Sequence, residues 1–166
     1  MQEGDYGIPD KMFGPVPDVF FAMVGRVVMV VSLLEVRLLD LLTELDQAPQ
    51  GKHAGKSASD LIKDCDAALD GYDPPFAQPA RQTLDAARDA LRERNGVVHS
   101  VWPNPSADGA YGWRPVPEKR RDSPGQPFES ITLDNRQLRD LISRSAALVR
   151  EVDCLRERAA VHRLAT

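Results

Sequence analysis

Three side chains in one short stretch carry the chemistry this chain is best equipped to perform. Arg94, Asn95 and His99 stand in the run R-N-G-V-V-H, with four residues between the arginine and the histidine. Histidine is the side chain best suited to move a proton near neutral pH. Arginine keeps its charge, and its planar fork matches a phosphate. A phosphoryl centre attacked by a neighbouring hydroxyl needs both: a proton carrier at the attacking or leaving oxygen, and a cation for the charge that builds on the phosphate. RNA brings its own nucleophile, the ribose 2′-OH, so Arg94 and His99 would suffice to cut it with no metal or other cofactor. Asn95 would fix the arginine or donate to the phosphate. Gly96 would let a phosphodiester approach the backbone.

A helix must position these groups. Leu84, Ala87, Leu91, Val98 and Trp102 recur at helical spacing and predict a helix over about Ala80 to Ser100. Advancing roughly 100° per residue puts Asn95 near the middle of that apolar face, with Arg94 and His99 on its shoulders. Polar groups so placed are costly unless they are paired or used. The plainer alternative makes Arg94 a structural cation bound to Glu35 or to loop backbone, Asn95 a loop cap and His99 a satisfied core histidine.

The rest of the chain reads as the scaffold. Residues 1–17, rich in glycine and proline, predict an extended arm, and residues 18–166 one helical domain. Asp18 is a plausible cap for a helix from Val19 to Asp46, apolar on more than one face between Val27 and Leu42. Such a helix is central in a bundle or covered on a second side by another subunit. Ser57 or Ser59 can cap a second helix ending at Gly71, and Pro74, Pro75 and Pro79 read as a stiff turn. Residues 101–132, dense in proline and glycine, form a long loop, with room for a hairpin between Tyr111–Val116 and Glu129–Leu133 around the charged tip Glu118–Asp122. Asp134 caps the last helix, striped by Leu138, Leu141, Ile142, Leu148, Val152, Leu155 and Ala159. The expected class is all-α: a bundle of about four helices with a long irregular loop before the last one.

Composition narrows the function. The 166 residues carry a net charge of −4 and 6% aromatics, which argues against a nucleic-acid coating protein and an extended base-stacking platform. Cys65 and Cys154 share no metal-type spacing and read as free, half-buried core thiols. His53 and His162 have no motif around them and read as solvated. The segment G-K-H-A-G-K-S around His53 lacks phosphate-loop spacing. Arg26, Glu35, Arg37 and Asp40 interrupt the apolar stretch Val19–Leu42, which favours a soluble helix, no membrane partner and a cytoplasmic location.

The R-N-G-V-V-H segment resembles the signature of the HEPN superfamily: Arg, then a polar residue that is often Asn, then His after a gap of four to six residues. The setting is similar too, at the end of a long helix that follows two others, with an irregular loop after the histidine. These are small helical bundles, many of them metal-independent endoribonucleases. The resemblance implies a homodimer whose two motifs share a cleft, with Arg94 stabilising the phosphorane and His99 assisting proton transfer. Products would carry 2′,3′-cyclic phosphate and 5′-OH ends. It implies a toxin with a protein antitoxin as partner, or a phage-defence effector. A polar residue from an early helix often supports the motif; Glu35 is the candidate here, against a pair with Arg37 or another arginine. Val101 stands where the branch paired with nucleotidyltransferase antitoxins has a tyrosine.

RNA would meet a local basic stripe. Arg81, Arg88 and Arg92 share a helical stripe with His99, and Arg114, Lys119, Arg120 and Arg121 lie in the long loop. Trp102 and Trp113 can stack on bases. Against this, Asp85 and Asp89 stand at ion-pair spacing to the stripe, and the tryptophans can simply anchor the loop. The competing function is a non-catalytic HEPN-like module that binds RNA or protein; a third is a purely structural helical dimer.

Overall fold

Caps and prolines set the ends of the elements. The computed structural model describes residues 16–103, 105–116 and 127–165. Helix α1 spans Asp18–Leu45, α2 Ala58–Ala68 (followed by a 3-10 turn, Leu69–Gly71), α3 Pro74–Val98 and α4 Asn135–Ala165. Strands β1, Gly109–Pro115, and β2, Phe128–Asp134, pair antiparallel with Tyr111 opposite Thr132 and Trp113 opposite Ser130. The described chain is therefore mainly helical with one two-stranded sheet, rather than purely all-α. The arm before residue 16 and the tip Glu118–Asp122, with Lys119, Arg120 and Arg121, lie outside the described residues.

Ser57 caps α2 by accepting from the Asp60 amide at 3.2 Å. Asp134 and Gln137 form a capping box at the start of α4: the Gln137 amide donates to Asp134 Oδ1 at 2.7 Å, and the Asp134 amide to Gln137 Oε1 at 2.8 Å. At α1 the cap differs from expectation. The Pro17 carbonyl accepts from the Phe20 and Phe21 amides, so Asp18 is the first helical residue, where its charge meets the positive end of the helix. The proline turn is also corrected. Pro74 and Pro75 open α3, behind an Asp73 carbonyl that accepts from the Phe76 and Ala77 amides. Proline is tolerated there because first-turn amides have no intrahelical partner. Only Pro79, inside the helix, removes a ladder bond.

By its contacts the chain forms two units. One comprises the residues up to Val28 with Arg94–Leu141; the other comprises Met29–Glu93 with the chain from Ile142 onward. The first has a small core of Phe20, Met23, Val27, Val97, Leu138 and Leu141. The second buries Leu34, Leu38, Leu41 and Leu42 of α1, Leu61, Ile62 and Cys65 of α2, Leu84 and Ala87 of α3, and Val152 of α4. Within it, Arg37 bridges to Asp153 at 3.2 Å, Arg81 to Asp66 at 2.9 Å, and Arg144 to Glu93 at 2.6 Å.

α1 is apolar on more than one face, as read from the sequence, but up to Val36 the chain buries only one of them. Nearer its start the helix has two apolar faces. Phe20, Met23, Val27, Val31 and Leu34 are buried, whereas Phe21, Val28, Met29, Leu33 and Val36 are exposed, Met29 by 74%. By turn arithmetic the exposed set, with Gly25 and Ser32, covers an arc of roughly 140° opposite the buried one. By length and composition α1 is also apolar enough to cross a membrane, and 28% of its most apolar window is buried.

Candidate functional site

The motif sits in the last turn of α3, and the residues that follow it finish that helix. The last carbonyls of a helix have no intrahelical donor. Here the His99 amide donates to the Asn95 carbonyl at 3.0 Å, Ser100 Oγ to the Gly96 carbonyl at 2.6 Å, and Trp102 Nε1 to the Val97 carbonyl at 2.8 Å. The terminus is closed by backbone, a serine and an indole. Arg94 Nη1 donates to Asn95 Oδ1 at 3.0 Å. Asn95 and His99 are exposed and Arg94 is half-buried.

This corrects the helical-wheel placement. Asn95 does not lie on the buried face, and Val98 is exposed, while Val97 is buried. The extrapolation from Leu84 assumes one core along the whole helix. From Arg94 onward α3 belongs to the other unit, whose core takes Val97.

The loop after His99 is tied to the hairpin. Val101 and Trp113 exchange backbone hydrogen bonds of 2.9 and 3.2 Å, so Val101 pairs with β1. Gly112 makes this approach feasible: a Cβ there would stand 2.5 Å from the Val101 carbonyl oxygen and 2.6 Å from Trp102 Cε3. Trp102 also packs edge-on against Phe20, ring centroids 6.0 Å apart, which makes it a loop anchor. The hairpin brings Arg114 to the motif. A Cβ on Gly96 would lie 3.7 Å from Arg114 Nη1 and 3.8 Å from Ile131 Cδ1. Nε and Nη2 of Arg114 meet Glu129 Oε2 at 2.9 and 2.8 Å, which aims the guanidinium. The sequence shows Arg114 only as a loop cation; its place over Gly96 depends on the hairpin register.

The other candidates are distributed elsewhere. Arg88 and Arg92 pair with Asp85 and Asp89 along α3, and Arg81 chelates Asp66 and Asp70, the latter at 2.5 Å. Their partners are those of a solvated, ion-paired face. Glu35 lies half-buried on α1 in the second unit, and Arg37 pairs with Asp40 at 3.1 Å as well as with Asp153.

Three further expectations are overturned. His53 is buried, 4% exposed, because the turns around Gly51 (φ 88°) and Gly55 (φ 81°) fold its ring inward. His162 is half-buried, its ring centroid 5.1 Å from that of Tyr72. Cys154 is exposed and Cys65 fully buried; burial, more than the nearby Asp64 and Asp66, raises the Cys65 thiol to about 12. Cys65 Sγ reaches the Leu38 carbonyl at 3.7 Å.

Comparison of the chain with protein-family models, with curated proteins and with solved structures finds no match.

Proposed function

We propose that this chain is a HEPN-like, metal-independent endoribonuclease that acts as a homodimer in the cytoplasm. The observation that carries the reading is the state of the motif. Arg94 is held on Asn95, His99 is open to solvent, and the helix end they share is capped by other groups.

In this reading His99 moves the proton and Arg94 meets the phosphate. The ribose 2′-OH loses its proton and its oxygen bonds to phosphorus. The bond from phosphorus to the 5′-oxygen breaks, and that oxygen leaves with a proton. The ends are a 2′,3′-cyclic phosphate and a 5′-OH. Arg94 offsets the charge that grows on the non-bridging oxygens, a role that lysine, lacking a planar fork, fills less well. Arg114, aimed by Glu129 beside Gly96, adds a second cation. Arg81, Arg88 and Arg92, each paired with aspartate, would meet RNA by exchanging those aspartates for phosphates.

The exposed face of α1 supports the dimer. Phe21 to Val36 spans about 22 Å of helix, an apolar strip of a kind that isolated soluble chains rarely leave bare. A second copy laid against it would contribute toward the roughly 800 Å² per partner that stable interfaces bury. A nuclease of broad action needs restraint in its host, so an antitoxin partner or a phage-defence setting belongs to the same proposal.

The test is cleavage of a labelled mixed-sequence RNA in EDTA. Wild type should give cyclic-phosphate ends and His99→Ala should give none while keeping its helical circular dichroism. Full activity in His99→Ala overturns the reading. Sedimentation of wild type and Met29→Glu tests the dimer: the variant should be monomeric and inactive, and an active monomer removes the composite site.

A further inference from the structure

The hairpin has two faces of opposite character. Side chains alternate across a strand, so Gly112, Arg114 and Ile131 turn toward the end of α3, where Arg114 Nη1 and Ile131 Cδ1 lie beside Gly96. Tyr111 and Trp113 point the other way, with Phe128, Ser130 and Thr132 of β2 on the same side. The Tyr111 hydroxyl and Ser130 Oγ share a hydrogen bond of 2.9 Å, which fixes the phenol across the two strands. The rings nevertheless stay open: Tyr111 is 56% and Phe128 50% exposed, and Trp113 is half-buried. A tyrosine whose hydroxyl is already partnered has its π-face left to offer. Aromatic faces on a sheet hold unpaired bases by stacking.

Charge favours a nucleic acid on this face. The chain carries 25 acidic residues, yet in the register of this face the one carboxylate among the described residues is Asp134, committed to capping α4. Glu129 lies on the opposite face, where it holds Arg114. A polyanion can therefore lie along the rings without facing an uncommitted carboxylate. The face also begins where the motif ends. Val101, two residues past His99, pairs with Trp113 through two backbone bonds. The backbones of Trp113 and His99 thus stand within about 13 Å of each other. A base on Trp113 is then one or two nucleotides from a phosphate at His99.

We infer that Tyr111 and Trp113 form a stacking subsite for unpaired bases next to the cleaved phosphodiester, and that the substrate is single-stranded RNA. Such a subsite holds one or two bases, short of the extended platform that the composition argues against. It rests on the nuclease reading, which supplies the ligand and the neighbouring centre.

The probe is a short labelled RNA with 2′-O-methyl riboses, which lacks the attacking hydroxyl and stays whole on the wild-type protein. Binding is read by fluorescence anisotropy. The single strand should bind at least about tenfold more tightly than the same sequence as a duplex, whose bases are already stacked. Tyr111→Ala should weaken binding at least about fivefold, the lower end of what one stacked base contributes, and Tyr111→Phe, which keeps the ring, should stay within about twofold of wild type. The subsite is overturned if single strands do not bind, if the duplex binds as tightly, if Tyr111→Ala, folded by circular dichroism, binds like wild type, or if Tyr111→Phe loses as much as Tyr111→Ala. Because the probe cannot be cut, the two readings fail separately. A Tyr111 effect on binding with natural RNA left uncut removes the nuclease and keeps the subsite. Cleavage by a Tyr111→Ala protein that binds like wild type removes the subsite and keeps the nuclease.

Discussion

His99 and His53 put one side chain in two opposite settings. His99 stands exposed at a helix end whose carbonyls are satisfied by other groups. His53 is closed inside a loop of exposed residues, against Asp46 and between two lysines. The contrast teaches what spacing cannot decide. A histidine on an apolar-looking helix escapes burial when the helix end serves a different core. A histidine in a glycine–lysine loop becomes buried when left-handed glycines turn it inward. Under the proposed function His99 must be reached, whereas a group that organises a loop must be enclosed. Replacing each histidine should therefore fail in a different way.

The largest effect belongs to His99. His99→Ala should lower RNA cleavage by at least about 100-fold, the usual scale for a positioned proton carrier, and leave the melting temperature within about a degree or two, as expected of an exposed site. Next comes Gly112→Ala. Its methyl would press on the Val101 carbonyl oxygen, which is backbone and cannot swing aside. A loss of about 2–3 kcal/mol is expected, read in a denaturant melt, with cleavage falling as the hairpin and Arg114 move from Gly96. Unchanged stability would show that the hairpin does not hold the motif's helix end.

His53→Ala follows, with an expected cost of about 1–2 kcal/mol, or roughly 3–6 °C in melting temperature. The loop around it should also respond to acid. Hydrogen bonding from Lys52 holds the Asp46 carboxyl below its ordinary range, and hydrogen bonding from Lys56 does the same for Asp64. A carboxylate depressed on folding stabilises the protein above its unfolded pKa, and that contribution disappears as pH falls through the folded value. Thermal melts below about pH 4 should thus show a weaker acid dependence in Lys52→Gln/Lys56→Gln than in wild type. An identical acid limb would mean the pairs do not anchor the loop.

Local signals were readable along the chain, and long-range ones were not. Ser57 and Asp134 announce their helices because a cap acts within one turn. The hairpin strands announce themselves by the breakers around them. Arg94, Asn95 and His99 stand out as a triplet, yet their exposure depends on which unit receives the end of α3, and periodicity carries no such information. Pro74 and Pro75 read equally as a turn and as a first helical turn. Arg114 reaches Gly96 through the pairing of Val101 with Trp113, which joins the end of α3 to β1. The bare face of α1 has the same composition as its buried face, and composition alone does not tell which one a chain covers by itself.

Gly96 sharpens the contrast at the smallest scale. Like Gly112 it lies beside another element, but a Cβ there meets Arg114 Nη1 and Ile131 Cδ1 at ordinary contact distances of 3.7 and 3.8 Å. Alanine is also the better helix former, by about 1 kcal/mol in a helix interior and less in a last turn. Gly96→Ala should therefore be neutral or stabilise the fold by up to about 0.5–1 kcal/mol, the reverse of Gly112→Ala. Cleavage is the separate readout. If phosphate must come down onto the backbone between Asn95 and His99, the added methyl raises KM for RNA even as the melting temperature holds or rises. If KM and kcat both stay at wild-type values, Gly96 is there only to seat Arg114 and Ile131, and the phosphate approaches from the His99 side alone.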